Sequence, residues 1–276
     1  MTTPYAAPAY AAPAYAEGKM LAEASEGVGL ITFNQPEKRN AMSVTMWQGL
    51  SEILDAFAAD TAIRTVVMTG AGTKAFVSGA DISQFETTRA DSNAQLDYDR
   101  LTSAGRTKLA TFPKPVIAAI RGFCLGGGLG IAMQADLRIA GEGAMFGIPA
   151  AKLGIAYSFE MIERLVSLVG QAHARMIIMS GERMDAAEAE RIGLVNKVVP
   201  DEDLTDTVLH LAKTIAANAP LSLHATKLTI NAVMSAESQR NRAAVDAAIL
   251  ACFDSADYRE GRTAFMEKRP AQWQGK

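Results

Sequence analysis

Residues 121 to 130 read Arg121-Gly122-Phe123-Cys124-Leu125-Gly126-Gly127-Gly128-Leu129-Gly130. A strand-like run from Pro115 to Ile120 precedes them, and an apolar helix-like run begins at Leu129. Three consecutive glycines at a strand-to-helix junction carry no side chains to cover their backbone N–H groups. The first turn of a helix adds partial positive charge at the same point. The stretch therefore predicts a site for an anion or a carbonyl oxygen. The same glycines also suit a tight turn with close backbone packing, and this stretch alone leaves both readings open.

A second segment bears on that choice. Ala75-Phe76-Val77-Ser78-Gly79-Ala80-Asp81-Ile82 also ends a strand-like run in a glycine turn. Two such turns can each give one N–H to a single oxygen. Acyl transfer and enolate formation need that arrangement, because charge develops on a carbonyl oxygen. Rival glycine motifs fail. No Lys-Ser/Thr pair follows Gly126 to Gly130, and the GxGxxG register is absent, which argues against nucleotide-binding loops. No G-x-S-x-G elbow marks a serine hydrolase.

Composition sets the outer bounds. The chain has 276 residues, 30 acidic and 27 basic side chains, and a 49% hydrophobic fraction, enough for one sizeable core with a small subdomain. A net charge of −3 gives no broad positive field, so nucleic acid and anionic membranes are not expected partners. Cys124 and Cys252 are too few for a disulfide framework, which predicts a reducing, cytoplasmic setting. His173, His210 and His224 are scattered, and no CxxC or HExxH occurs, so no metal site is expected. No run approaches the roughly 20 apolar residues of a membrane span. The stretch from Pro4 to Tyr15 repeats Tyr-Ala-Ala-Pro-Ala without a cationic start, so it reads as a tail rather than a signal peptide. Its prolines favour extended structure; packing on a neighbouring subunit and plain disorder both remain open.

Periodicity orders the rest. Val28 to Phe33 and Ile63 to Met68 read as strands, and Met46, Leu50, Ile53, Leu54 and Phe57 recur at helical spacing between them. Residues 88 to 111 are polar at first and then helical; Pro113 and Pro115 stop that helix. Strand and helix patterns then alternate over 115–121, 129–135, 137–140 and 145–148. After Pro200 the strands cease. Leu204, Val208, Leu211 and Ile215 form a helical stripe, and Pro220 opens another helix. The expected division is a tail over 1–17, a core over 18–216 and a helical subdomain over 217–276.

Taken together, the two glycine turns resemble those of the crotonase (enoyl-CoA hydratase/isomerase) superfamily. Asn34-Gln35-Pro36-Glu37-Lys38-Arg39-Asn40-Ala41, Ala135-Asp136-Leu137-Arg138-Ile139-Ala140 and Phe146-Gly147-Ile148-Pro149 extend the resemblance. Arg191 to Asn196 and Glu260 to Arg269 complete it, over roughly residues 18 to 270. The resemblance implies an α/β fold, a spiral of ββα units with a C-terminal helical subdomain. It also implies a homo-oligomer, a trimer or a dimer of trimers. The implied substrate is an acyl-CoA thioester, with coenzyme A part of the substrate and no separate cofactor. The N–H groups of Ala80 and Gly127 would form the oxyanion hole. Lys38, Arg39 and Lys268 would meet coenzyme A phosphates, and adenine would meet the backbone near Asp81 and Ile82. Lys38 and Arg39 read equally well as a solvated charge run.

The chain also departs from its apparent relatives. Hydratases of this superfamily place two glutamates around one water. The corresponding positions here are Gly130 and Ala150, and neither can move a proton. Tyr157 lies where methylmalonyl-CoA decarboxylase-like crotonases have a tyrosine, though an acyl pocket also calls for aromatic walls. Glu160 and Glu163 are further candidates; at the start of a helix both also suit its dipole. The expectation is therefore a lyase that decarboxylates a malonyl-type CoA ester, since loss of carbon dioxide forms the enolate with no base. The alternatives are an enoyl-CoA hydratase or isomerase with a non-standard acid/base, and an acyl-CoA binder without turnover.

Overall fold

The structure, a computed structural model, describes residues 15–81 and 92–276. The chain opens with a hairpin absent from the sequence reading. Strand β1 (Met20–Ser25) pairs antiparallel with β2 (Val28–Phe33) across the two-residue turn Glu26-Gly27. Both turn residues have positive φ, the geometry that suits tight hairpins. Tyr15, inside the expected tail, bridges to Met20 and packs against the core. The remainder of that tail, residues 1–14, lies outside the described residues.

Helix α1 (Val44–Ala59) follows, capped by the Ser43 hydroxyl, which accepts from the Met46 N–H. Three strand pairs then alternate between two sheets. β3 (Thr65–Gly70), β5 (Val116–Ile120) and β7 (Leu137–Gly141) enter a six-stranded sheet of order β1-β2-β3-β5-β7-β10. β4 (Ala75–Val77), β6 (Phe123–Leu125) and β8 (Met145–Gly147) enter a four-stranded sheet of order β4-β6-β8-β9. β9 (Arg183–Asp185) and β10 (Lys197–Val199), with the short helix α5 (Ala186–Arg191) between them, complete the two sheets. Helices α2 (Ser92–Ala110), α3 (Gly127–Gln134) and α4 (Phe159–Ser180) separate the strand pairs. This is the ββα spiral that the resemblance implies, and the alternation of strand and helix patterns fits it. The strand expected over Ile63 to Met68 runs two residues later, because Ile63 closes a turn on Asp60.

Residue alternation along the strands gives the large sheet two buried faces. On β5, Val116, Ala118 and Ile120 face the core shared with the small sheet and α1. Ile117 and Ala119 face the other way, under α6 (Leu204–Ala216) and its stripe of Leu204, Val208 and Ala212. Beyond α6 come α7 (Pro220–Met234), α8 (Arg242–Asp254) and α9 (Ala256–Glu267). The chain end returns to the core. Arg64 donates to the Trp273 carbonyl at 2.7 Å, and the Trp273 indole donates to the Ala217 carbonyl at 2.6 Å. These last helices leave Ile230, Val233, Met234, Leu250, Phe265 and Met266 exposed. No helix among the described residues is long and apolar enough to cross a membrane.

Candidate active site

The two glycine turns are neighbours because their strands are. β4 and β6 pair in parallel, with Val77 opposite Cys124 after a register irregularity at Phe76. Three residues past that pair lie Ala80 and Gly127. The Gly126 backbone, at φ 53° and ψ −121°, turns the chain from β6 into α3 in a conformation open to glycine alone. Gly128 then lets α3 approach β4: a Cβ there would sit 2.0 Å from the Val77 carbonyl oxygen. At Gly127 nothing crowds the Cα, and a Cβ there would lie 3.8 Å from the Ala80 nitrogen. Gly127 opens α3, so its N–H has no acceptor within the helix. Among the described residues no backbone acceptor takes the N–H of Ala80 or of Gly127. Two amides side by side, without acceptors, are the geometry of a site for a developing oxyanion.

The loop after β2 locks the Ala80 turn. Met42 donates to the Gly79 carbonyl at 2.8 Å, and Asp81 donates to the Met42 carbonyl at 2.9 Å. Asn40 is fully buried; its amide donates to the Ala71 and Ala75 carbonyls and its oxygen accepts from the Gln35 N–H. Lys38 and Arg39 stand on this same loop. Lys38 Nζ meets Asp81 Oδ2 at 2.7 Å, and the Arg39 guanidinium lies 5.2 Å from the centre of the Phe123 ring. Arg183 lies at the same distance from that ring. Both cations on the loop are thus beside the turn, held by an acid and by a ring. Ile82 lies outside the described residues. Lys268 caps the end of α9, exposed, and is not among the residues lining the cavity described next.

Ala80 and Gly127 open onto a cavity of about 150 Å³. Its walls come from α1 (Met42 just before it, and Trp47), α2 (Tyr98, Asp99, Arg106, Leu109), α3 (Gly130, Ile131, Gln134) and the segment 155–161. Tyr157 is one of the lining residues, and its hydroxyl would lie 3.6 Å from a Cβ placed on Gly126. The phenol therefore stands at the Gly126 turn itself. Gly130 faces Met161: a Cβ at Gly130 would come within 2.2 Å of the Met161 Cε. The thioether methyl thus occupies the room that a side chain at 130 would take. Ala150 is buried and does not line the cavity.

Glu160 and Glu163 point elsewhere. Both are exposed near the start of α4, Glu160 on its first turn, and neither lines the cavity. The Glu160 carboxyl is held below the usual range, first by its own backbone N–H and then by the Ser158 hydroxyl. At neutral pH it is ionised and has no proton to give. The charged residues that do line the cavity, Asp99 and Arg106, are absent from the sequence reading. Arg106 Nη2 donates to the Asp99 carbonyl and to its Oδ1, each at 3.2 Å. A signal for them exists: Tyr98, Thr102, Gly105 and Leu109 mark one face of α2 at spacings of 4, 3 and 4, and Asp99 and Arg106 border it. Gly105 brings that face against α1, where a Cβ would lie 2.8 Å from the Trp47 carbonyl oxygen.

The stretch Ala135 to Ala140 turns out to be structural. Asp136 Oδ2 accepts from the Val116 N–H and from Lys227 Nζ, each at 2.7 Å. Arg138 is buried and donates to the Leu194 and Ala135 carbonyls at 2.7 Å, and burial pushes its pKa down to about 10. These bonds fix the far end of α3, and with it the direction of its first amides.

Comparison with known proteins places this geometry. Residues 23–276 match the model of the family described as Enoyl-CoA hydratase/isomerase. The chain is 36% identical over 250 residues to the short-chain-enoyl-CoA hydratase of Clostridium acetobutylicum, covering 91% of this chain and 95% of that one. It is 35% identical over 254 residues to the crotonyl-CoA hydratase of Syntrophomonas wolfei, covering 92% and 97%. Among solved structures, an enoyl-CoA hydratase/carnithine racemase from Magnetospirillum magneticum superposes with a TM-score of 0.90 at 34% identity, covering 94% and 96%. Paired strands, paired glycine turns and full-length similarity converge, and the chain belongs to the enoyl-CoA hydratase/isomerase family.

Proposed function

We propose that this protein is an enzyme acting on an acyl-CoA thioester by way of an enolate. The thioester oxygen sits between the N–H groups of Ala80 and Gly127, and Tyr157 gives the α-carbon its proton. The observation that carries this reading is the Tyr157 hydroxyl beside Gly126, at the oxyanion turn. The reaction class follows the names of the relatives: addition of water to an enoyl-CoA ester, or a shift of its double bond. In hydration, water oxygen bonds to the β-carbon and loses a proton, and the π electrons move to the enolate oxygen. Tyr157 then protonates the α-carbon and regains its proton from solvent. Asp99 is the one carboxylate among the described residues that line the cavity and the candidate to take the proton from water.

A second reading is decarboxylation of a malonyl-type CoA ester, favoured by the absence of a carboxylate at positions 130 and 150. There the bond to the carboxylate breaks, carbon dioxide leaves, and the electron pair becomes the same enolate. Tyr157 protonates it in the same way. Lys38 and Arg39, beside the Ala80 turn, are proposed to meet the phosphates of coenzyme A, with Lys268 as a third cation.

Mass spectrometry on crotonyl-, methylmalonyl- and ethylmalonyl-CoA separates the readings. Gain of water supports the first, loss of carbon dioxide the second, and binding without conversion leaves a non-catalytic binder. Tyr157→Phe keeps the ring and removes the proton. Turnover of any converted ester is expected to fall by about 10²-fold or more, the usual contribution of a positioned acid. Wild-type turnover in that variant refutes the role of Tyr157.

A further inference from the structure

The acyl cavity contains a guanidinium that a simple alkyl chain does not call for. Arg106, at the border of the inner face of α2, lines the cavity together with the apolar Met42, Trp47, Leu109, Ile131 and Met161 and the polar Asp99, Gln134 and Ser158. Its fixed contacts use one nitrogen. Nη2 donates to the Asp99 carbonyl and carboxylate at 3.2 Å, while Nη1 and Nε have no acceptor among the described residues. The guanidinium lies 5.9 Å from the centre of the Trp47 ring, which limits where the fork can swing. The indole N–H of Trp47 is itself buried without an acceptor among the described residues. The Glu160 carboxylate also lies within electrostatic reach of the guanidinium but takes no hydrogen bond from it among the described residues, so this side of the cavity has donors in excess of acceptors. Asp99 holds one arm of the fork, and the other two donors lie free for a planar acceptor with two oxygens.

We infer that Arg106 recognises a carboxylate carried by the acyl group, so the substrates are CoA esters of dicarboxylic acids. The inference rests on the proposed reading of the cavity as an acyl-CoA site. It holds for either reaction, since the carboxylate is the leaving group in decarboxylation and a specificity handle in hydration. Beside its candidate role as the base in hydration, Asp99 acts on this carboxylate only as a positioning residue. It orients the fork and, as a like charge beside the ligand, restrains carboxylate affinity.

Two CoA esters of the same chain length test this without turnover: butyryl-CoA and succinyl-CoA, which differ by a terminal carboxylate. Calorimetric titration of the full chain is expected to give succinyl-CoA at least about tenfold the affinity of butyryl-CoA, the effect of one charge-assisted hydrogen bond. In Arg106→Gln the ratio is expected to fall to near one, and in Arg106→Lys to an intermediate value. In Asp99→Asn, where the fork loses its anion, the ratio is expected to rise. The preference is also expected to weaken between 0.05 and 0.5 M salt, on the order of several-fold. Equal affinity for the two esters in the wild type overturns the inference and leaves the acyl-CoA reading intact. So does a preference that survives Arg106→Gln. If neither ester binds, the acyl-CoA reading fails and this inference falls with it.

Discussion

Met161 and Gly130 share one volume, and a substitution at 130 reads that volume directly. A Cβ at Gly130 would lie 2.2 Å from the Met161 Cε and 3.3 Å from its Sδ. Carbon atoms rest about 3.5–4.0 Å apart, so the methionine terminus has to withdraw by roughly 1.5 Å. Overpacking of this kind costs about 1–3 kcal/mol. The colliding group is the end of a flexible thioether, so the cost belongs at the low end, about 1–2 kcal/mol. Against it stands helix propensity. Gly130 lies inside α3, and alanine is favoured over glycine there by about 1 kcal/mol. Gly130→Ala alone is therefore expected to cost about 0–1 kcal/mol. In a Met161→Ala background the collision is gone, and the same change is expected to stabilise by about 1 kcal/mol. The coupling between the two sites is then about 1–2 kcal/mol, measurable by urea unfolding of the wild type, both single variants and the double variant. If Gly130→Ala has the same effect in both backgrounds, within about 0.5 kcal/mol, the shared volume is refuted. The consequence for chemistry is direct. Gly130→Glu should leave crotonyl-CoA hydration unchanged in the wild-type background, and should raise it only together with Met161→Ala.

Two further outcomes concern the C-terminal region. The Glu260 carboxyl is held down to about 2, first by its hydrogen bonds from Arg269 and then by the Gln272 N–H. A folded-state pKa below the unfolded one stabilises the fold above the ordinary carboxyl range, and that contribution is lost as pH falls from about 4.5 to 2. In Arg269→Gln the carbon-13 titration of Glu260 should move back toward 4.5; an unmoved titration contradicts the assignment to Arg269. The exposed Phe265 and Met266, more than three-quarters accessible, together with Ile230, Val233, Met234 and Leu250, predict self-association. Light scattering at micromolar concentration should give a multiple of 29.3 kDa, three or six by resemblance; a monomer mass removes the expectation.

The two glycine turns were legible because glycine is legible. Gly126 and Gly128 are required by backbone geometry and by a close approach, and such requirements leave a mark in a single sequence. The alternation of strands and helices from Val28 to Ile148 was legible for the same kind of reason, as strands buried on both faces run apolar. β1 was missed because Met20-Leu21-Ala22-Glu23-Ala24-Ser25 is mixed in character, and its pairing depends on a turn. β9 and β10 are three residues each, too short for any period to show. Asp99 and Arg106 escaped because α2 is mostly polar, and a charge that borders an inward face looks like one that faces water. Glu160 drew notice as an acid near the right place. Its exposure follows from the path of the chain through 154–159, which no local pattern encodes.

The register between β4 and β6 has a consequence for how such a protein can change. Ala80 and Gly127 face each other because their strands are rungs of one ladder, with a spacing near 4.8 Å common to all sheets. That ruler belongs to the backbone and is indifferent to side chains. Residues 98–109 and 155–161, by contrast, line the cavity from elements that lie outside both sheets. Exchanging them would reshape the cavity while the pair of amides keeps its separation. Damage to the ruler requires slipping one strand against another, which would bury the wrong face of every residue along it. The spacing of the two amides is therefore set by the sheet, and the rest of the cavity wall is free to vary around it.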